Sequence, residues 1–158
     1  MSETMSRPGM GWLPDYPDFR DHTINHDQIS DKLRKFGQKD SIKDMLKKTA
    51  VARTAGTAKI RVDLREWFSP VEDQGSLGSC TANAGVGLVE YFEKRAGGKH
   101  IDASRLFLYK TSRNMEHFKG DTGSFLRTTM SAMVLFGVPP EEYWPYNIED
   151  YDREPTAF

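Results

Sequence analysis

Apolar residues recur at helical spacing in several stretches of the chain, and these stretches define its predicted elements. Ile29, Leu33 and Phe36 lie at positions i, i+4 and i+7, which form one stripe along an α-helix. Ser41 then has the side chain to cap a second short helix. Residues 50–59 are small and polar without any period, and they predict a linker.

Three further helices are predicted after the linker. The longest covers 79–96, where small residues give way to apolar ones and two glycines end the pattern. A helix over 104–116 has Ser104 as its cap, and one over 124–136 ends at a glycine followed by two prolines. In this last helix we expect the inward side chains to be Leu126, Met130 and Met133 or Val134.

These patterns divide the chain into an N-terminal extension with its linker (1–59) and a helical domain (60–158). Prolines and glycines favour an extended conformation over residues 1–28. We expect this segment to dock on a folded surface through its aromatic side chains, which are Trp12, Tyr16 and Phe19.

Composition excludes several classes of function. With 158 residues, 37% of them hydrophobic and 28% charged, the chain has enough apolar material for one compact soluble domain. A formal net charge of -1 and the lack of a long apolar run argue against a nucleic-acid or membrane partner. We expect neither a cofactor nor a metal ion. Because no secretory signal is evident and Cys80 is the single cysteine, we favour a cytoplasmic location.

Residues 74–80 combine a glycine-bearing loop with the start of the longest predicted helix. A cysteine at a helix start lies among unpaired N–H groups at the positive end of the helix dipole, which favours the nucleophilic thiolate. Gln74 can fold back so that its side-chain N–H and the Cys80 backbone N–H stabilise an oxyanion during acyl transfer. Two other interpretations stay open: Cys80 as a small buried hydrophobe, and the loop as a phosphate-binding turn without the usual glycine spacing.

The stretch QGSLGSCTA at 74–82 resembles the Gln-Gly-x-Cys-Gly-Ser-Cys-Trp-Ala motif of the papain-like cysteine peptidases. Further resemblances to that family follow in the family's order, with VDLR at 62–65, DTGS at 121–124 and WPY at 144–146. GWLPD at 11–15 and FRD at 19–21 are similar to the opening of bacterial and archaeal members.

The resemblance implies a predominantly helical α+β chain that is a prosegment (1–59) followed by the left, helical lobe of the family, without its β-rich right lobe. It implies that Cys80 is the nucleophile and that Gln74 donates to the oxyanion. The substrate, a peptide or protein, would bind at Gly78, Ser79, Gly123, Ser124 and Phe125. The chain departs from the motif at Leu77, which replaces a cysteine that is disulfide-bonded in many members, at Thr81 and at Ser124.

The family's nucleophile works with a histidine that an asparagine orients, and both come from the second half of its fold. None of the four histidines of this chain lies in the family's histidine segment, and each is more typical of a solvated surface: His22, His26, His100 and His117. We therefore expect the chain alone to be inactive and to need a complementary right lobe.

Three functional hypotheses follow. The chain is the nucleophile-bearing part of a cysteine peptidase, or an inactive module that binds peptides or a partner peptidase, or the remnant of a gene without function. For residues 1–59 the resemblance favours a propeptide that covers the cleft, and a plain N-terminal extension is the alternative.

Overall fold

The computed structural model describes residues 10–18, 21, 29, 31–35, 37–48 and 63–155. The chain forms two compact units, one of residues 1–15 with 64–158 and the other of residues 16–63. The predicted linker at 50–59 and the aromatic residue Phe19 lie outside the described residues.

The smaller unit contains two short helices among its described residues, α1 (Asp31–Lys35) and α2 (Ile42–Lys48). Gly37 follows α1 with a φ of 87°, the left-handed conformation that ends a helix. Ser41 caps α2 as predicted, because its Oγ accepts the backbone N–H of Asp44 at 3.1 Å.

The larger unit is predominantly helical, as expected. It contains α3 (Cys80–Gly97), α4 (Arg105–Met115) and α5 (Leu126–Phe136), with short 3₁₀ turns at Arg65–Trp67, Glu141–Tyr143 and Ile148–Asp150. Two strands of two residues, β1 (Trp12–Leu13) and β2 (Ser124–Phe125), pair in parallel. Among the described residues, no helix combines the length and apolarity that a bilayer crossing requires.

The most buried element is α4, whose residues 105–113 are all buried. Ser104 caps it as predicted, since its Oγ accepts the N–H of Phe107 at 3.2 Å. α4 packs on both α3 and α5, and the buried core comes largely from α4 and its neighbours: Leu77, Ala82, Val86, Ala103, Leu106, Phe107, Leu108, Tyr109, Ala132 and Trp144. α3, which begins at Cys80, is the longest of the described helices. α4 is nevertheless the most buried one, because both α3 and α5 pack on it.

Gly85 allows the three helices to approach one another. A Cβ at this position would lie 3.1 Å from Leu108 Cδ2 on α4 and 3.2 Å from Thr129 Cγ2 on α5. A Cβ at Gly87 would meet no described atom within 4 Å, so no helix contact requires glycine there. Gly87 instead lines a surface groove.

The last helix begins later than its pattern predicts. Ser124 and Phe125 form β2, and α5 starts at Leu126 because the backbone N–H of Ser124 pairs with the carbonyl of Gly11. The buried residues of α5 are Thr129 and Ala132, with Met133 packed against the core, whereas Val134 is 83% exposed. Of the alternatives Met133 and Val134, Met133 is therefore the inward one, and the expectation of an inward Leu126 is wrong because that side chain is 37% exposed at the start of the helix.

A buried arginine fastens the C-terminal segment to α4. Arg113 is fully buried and donates to the carbonyls of Gly120 and Tyr151 and, at 3.0 Å, to the Asp152 carboxylate. Lys110, one turn earlier, pairs with Asp152 at 3.1 Å and with Glu154 at 3.0 Å. Residues 151–154 are thus held by charged hydrogen bonds more than by apolar contacts.

We predict that Arg113→Met lowers the free energy of unfolding by about 3–5 kcal/mol, the usual cost of removing one partner from a buried ionic network. Denaturant unfolding of the variant measures this loss. Lys99→Met, which changes an exposed lysine, is the matched control and should shift stability by about 0.5 kcal/mol or less. An equal effect of the two substitutions would contradict the assigned role of Arg113.

The same cluster predicts acid sensitivity. Burial alone would raise the pKa of Asp152, but hydrogen bonds from Lys110 and Arg113 outweigh it and lower that pKa, and Lys110 and Asn114 lower the pKa of Glu154. Carboxyl groups with a lowered folded-state pKa stabilise the fold above their unfolded pKa values, about 4, and lose that contribution as the pH falls. Melting temperatures measured from pH 6 to 3 should therefore fall less steeply in Asp152→Asn than in the wild type.

Candidate functional site

The single cysteine lies at the first residue of α3 and is partly exposed. Ser79 is the N-cap residue, but its side chain makes no capping hydrogen bond. The backbone N–H groups at the start of α3 therefore receive no side-chain acceptor from the N-cap, and the helix presents its positive end around Cys80. The alternative of a sulfur buried as a small hydrophobe does not fit this exposure.

A directed chain of hydrogen bonds explains why Ser79 does not cap. Tyr146 Oη donates its one proton to the Gln74 carbonyl at 3.0 Å, so Ser79 Oγ must be the donor in its 2.6 Å contact with Tyr146. Asn83 Nδ2 in turn donates to Ser79 Oγ at 3.0 Å. The three side chains fix the loop 74–79 relative to the first turn of α3.

Arg105, on α4, anchors this series of hydrogen bonds. Its guanidinium lies 3.4 Å from Asn83 Oδ1 and 4.1 Å from the centre of the Tyr146 ring. It also pairs with Glu72 at 2.8 Å and Glu141 at 3.4 Å. The Arg105 side chain, which is only 10% exposed, thus orients both Asn83 and Tyr146.

The side chain of Gln74 folds back over its own loop. Its Nε2 donates to the Leu77 carbonyl at 2.9 Å, which engages one of the two N–H donors of the amide. Gly75 adopts a φ of 63°, and its N–H donates to Asp73 Oδ1 at 2.8 Å, so the turn that carries Gln74 is closed locally.

Asp121 connects the loop 74–79, called the nucleophile loop below, to the segment before β2. Both of its carboxylate oxygens accept the Gly78 N–H, at 2.9 and 3.1 Å, and Oδ1 also accepts the Tyr109 hydroxyl at 2.5 Å. Burial, followed by this hydrogen bond to Asp121, raises the pKa of Tyr109 far above its ordinary value. Tyr109 therefore acts as a neutral hydrogen-bonding bridge and takes no part in proton transfer near neutral pH.

One backbone donor of the segment 123–125 pairs with β1, and the other two donate to side chains. The Gly123 N–H donates to Tyr109 at 3.0 Å and the Phe125 N–H to Glu116 at 3.0 Å, whereas the Ser124 N–H donates to the Gly11 carbonyl at 2.9 Å. Ser124 fits where the motif has glycine because its φ is negative and its hydroxyl turns to Glu116, 2.9 Å away.

β1 is held at this segment through its backbone. A Cβ on Gly11 would lie 1.5 Å from the Gly78 carbonyl oxygen, and one on Gly123 would lie 2.2 Å from the Gly11 carbonyl oxygen. Only glycine fits at both positions. The side chain of Trp12 is 60% exposed, so its expected docking through the aromatic ring is not what holds β1.

Neither described histidine lies near the cysteine. His100 is exposed and follows the far end of α3, a helix of 18 residues and about 27 Å. His117 takes the left-handed position after α4, with a φ of 58°, and lines a surface groove that neither Cys80 nor Gln74 lines. His22 and His26 lie outside the described residues.

The residues proposed from sequence thus come together around one loop. Cys80, Gln74, Gly78 and Ser79 lie on it or directly after it, and Asp121 connects it to Gly123, Ser124 and Phe125. Sequence reasoning missed the supporting roles of Tyr109, Arg105 and Tyr146. Tyr146 stood in the WPY motif, and its position there was the one available signal.

Comparison with known proteins identifies relatives of the whole arrangement. No family model matches the chain. The chain is 32% identical over 148 residues to an uncharacterized peptidase C1-like protein of Acanthamoeba polyphaga mimivirus. This match covers 92% of the chain and 45% of that protein. Xylellain, a cysteine protease from Xylella fastidiosa, matches with a TM-score of 0.61 and 26% identity, over 99% of this chain and 52% of its own.

A third similar structure is procathepsin L 3 of Tenebrio molitor, with a TM-score of 0.51 and 26% identity over 63% of this chain and 34% of its own. The chain therefore spans about half the length of the mimivirus protein and of xylellain. The fold is that of the helical lobe of these peptidases.

We predict that Asp121→Asn destabilises the protein by about 1–3 kcal/mol, because its bonds to Gly78 and Tyr109 lose the carboxylate charge and its Nδ2, in the place of Oδ2, would set a donor against the Gly78 N–H. Thermal or denaturant unfolding measures this loss. Asp73→Asn is the matched control: its Oδ1 can still accept the Gly75 N–H, so its stability should be nearly unchanged. Equal stability of Asp121→Asn and the wild type would show that the carboxylate does not hold the loop.

Proposed function

Because the chain belongs to the papain-like cysteine peptidases, we propose that it carries the nucleophile half of a peptide-hydrolysing site. The observation that carries this proposal is the partly exposed Cys80 at the uncapped start of α3. The catalytic histidine and its orienting asparagine come from a right lobe, in a longer chain or a second one. Without that lobe this half of the site is inactive.

In this mechanism the Cys80 thiolate attacks the carbonyl carbon of the scissile peptide bond. The negative charge that develops on the carbonyl oxygen is stabilised by the Cys80 N–H and the Gln74 amide. The amine leaves with a proton from the imidazolium of the right lobe, and water then hydrolyses the thioester with the imidazole as general base. This chain supplies the sulfur, the oxyanion donors and one wall of the substrate cleft.

The contacts of β1 support a substrate edge at 123–125. β1 pairs with this segment as an extended peptide and takes up the Ser124 N–H, the donor that a substrate backbone would use. The Gly11 backbone also packs against the Gly78 carbonyl, two residues before the nucleophile. The N-terminal segment therefore acts as a prosegment that must leave before substrate enters.

The alternative function is an inactive module that binds peptides. It is favoured by the positions of His100 and His117, neither of which serves Cys80, and by the ability of β2 to hold an extended strand. The two functions differ in the reactivity of the sulfur: a binding module needs no stabilised thiolate.

Complementation tests the peptidase proposal. The chain is mixed with a separately produced right lobe of a similar peptidase that carries the histidine and asparagine, and hydrolysis of a fluorogenic peptide is followed. We expect activity only in the mixture and none when the chain carries Cys80→Ala. Activity that persists with Cys80→Ala, or no activity in any mixture together with an unreactive sulfur, would overturn the proposal.

We further predict that iodoacetamide labels Cys80 at pH 6 at least about tenfold faster than it labels a free cysteine, which is roughly 0.3% thiolate there. Mass spectrometry of timed samples gives the rate, and the single cysteine makes the product unambiguous. A rate equal to that of free cysteine would favour the binding module.

Displacing β1 should expose the sulfur further. Gly11→Ala forces a methyl group onto the Gly78 carbonyl, so we expect β1 to detach and labelling of Cys80 to accelerate several-fold. Gly97→Ala, whose added methyl would meet no described atom within 4 Å, is the control and should label like the wild type. Equal rates in Gly11→Ala and the wild type would show that β1 does not cover the site.

A further inference from the structure

Three carboxylates outside the candidate site form a separate cluster. One carboxylate oxygen from each of Glu72, Glu90 and Asp102 lies within 4.8 Å of the others. Glu72 comes from the segment before the loop, Glu90 from the middle of α3, and Asp102 from the connection to α4. Three separate segments therefore converge on one point.

Glu90 is the unusual member of this cluster. It is 1% exposed, and its Oε1 accepts the Ala103 N–H at 2.9 Å. Its Oε2 is buried, and no group in the described part of the chain donates a hydrogen bond to it. A buried carboxylate oxygen without a partner is costly, since its hydration is lost and nothing replaces it. This oxygen is therefore free to coordinate a cation.

The charges of the surroundings do not balance. Glu141 is a fourth carboxylate near Glu72, and Arg105 is the cation that pairs with both, at 3.4 and 2.8 Å. Four carboxylates against two guanidinium groups, those of Arg105 and of the groove-lining Arg65, leave a formal charge of about −2 when all are ionised. Burial raises the pKa of Glu72, and Arg105 only partly offsets this while the neighbouring carboxylates add to it.

An open groove of about 470 Å³ gives access to the cluster. Arg65, Glu72 and Glu90 line it together with Asn83 and Gly87. An added methyl group at Gly87 would meet no described atom within 4 Å, so the groove is open along α3. The buried Glu90 therefore lies against a groove that opens to solvent.

We propose that Glu72, Glu90 and Asp102 bind a calcium ion. Ca²⁺ takes oxygen ligands at about 2.3–2.6 Å, so ligands around it lie up to roughly 5 Å apart, which matches this cluster. Mg²⁺ needs near-ideal octahedral geometry at about 2.0–2.1 Å and dehydrates reluctantly, so a set of three protein carboxylates suits it less well than Ca²⁺. Water completes the coordination on the groove side. The ion connects the segment before the nucleophile loop to α3.

Calorimetric titration of the metal-free chain with CaCl₂ tests this directly. We expect one ion to bind with a dissociation constant on the order of 10⁻⁴–10⁻³ M, as for sites with few protein ligands. Mg²⁺ should bind more weakly, and Ca²⁺ should raise the unfolding midpoint. No saturable heat with CaCl₂, or tighter binding of MgCl₂, would overturn the assignment.

Matched variants locate the ion. Glu90→Gln keeps an oxygen for the Ala103 N–H but removes the charge, so the affinity for Ca²⁺ should fall roughly tenfold or more. Asp102→Asn, at an exposed position that does not threaten folding, should weaken binding likewise. Glu93→Gln on the exposed face of α3 is the control and should bind like the wild type. Wild-type affinity in both Glu90→Gln and Asp102→Asn would refute the site.

Discussion

The hydrogen bond from the Gly78 N–H to the Asp121 carboxylate is the constraint on which the rest of the site depends. It fixes the point where the loop turns into α3, and through Tyr109 it fixes Gly123 as well. Close backbone packing surrounds it, because Gly11 meets Gly78 and Gly123 without room for a methyl group. One carboxylate therefore sets the position of both the sulfur and the segment that pairs with β1.

The supporting groups are arranged in two layers with different tasks. Ser79 and Tyr146 hold the loop from one side, and Arg105 orients Tyr146 and Asn83 from α4. Arg113 works at the other end of α4, where it fastens residues 151–152. α4 is thus the element that relates the nucleophile loop to the C-terminal segment, and this is why its residues 105–113 are buried on every face.

The sequence predicted the helices and the position of Cys80 at a helix start because these depend on local patterns. Ser104 caps α4 and Ser41 caps α2, as predicted from their positions before the helical patterns. Cys80 begins α3, which follows the glycine-bearing loop. The pattern failed at Ser124, where pairing with a strand more than 100 residues away overrides the local preference for helix. It also could not predict the partners of Tyr109 or Glu90, which come from distant segments.

The site is assembled without any covalent crosslink. Leu77 stands where similar peptidases have a cysteine in a disulfide, and the ionic hydrogen bonds of Asp121 tie down the adjacent residue instead. A thiol reagent strong enough to keep Cys80 reduced therefore leaves the scaffold around it untouched. In this lobe a change of redox potential therefore acts on the sulfur of Cys80 and leaves the hydrogen bonds that position it unchanged.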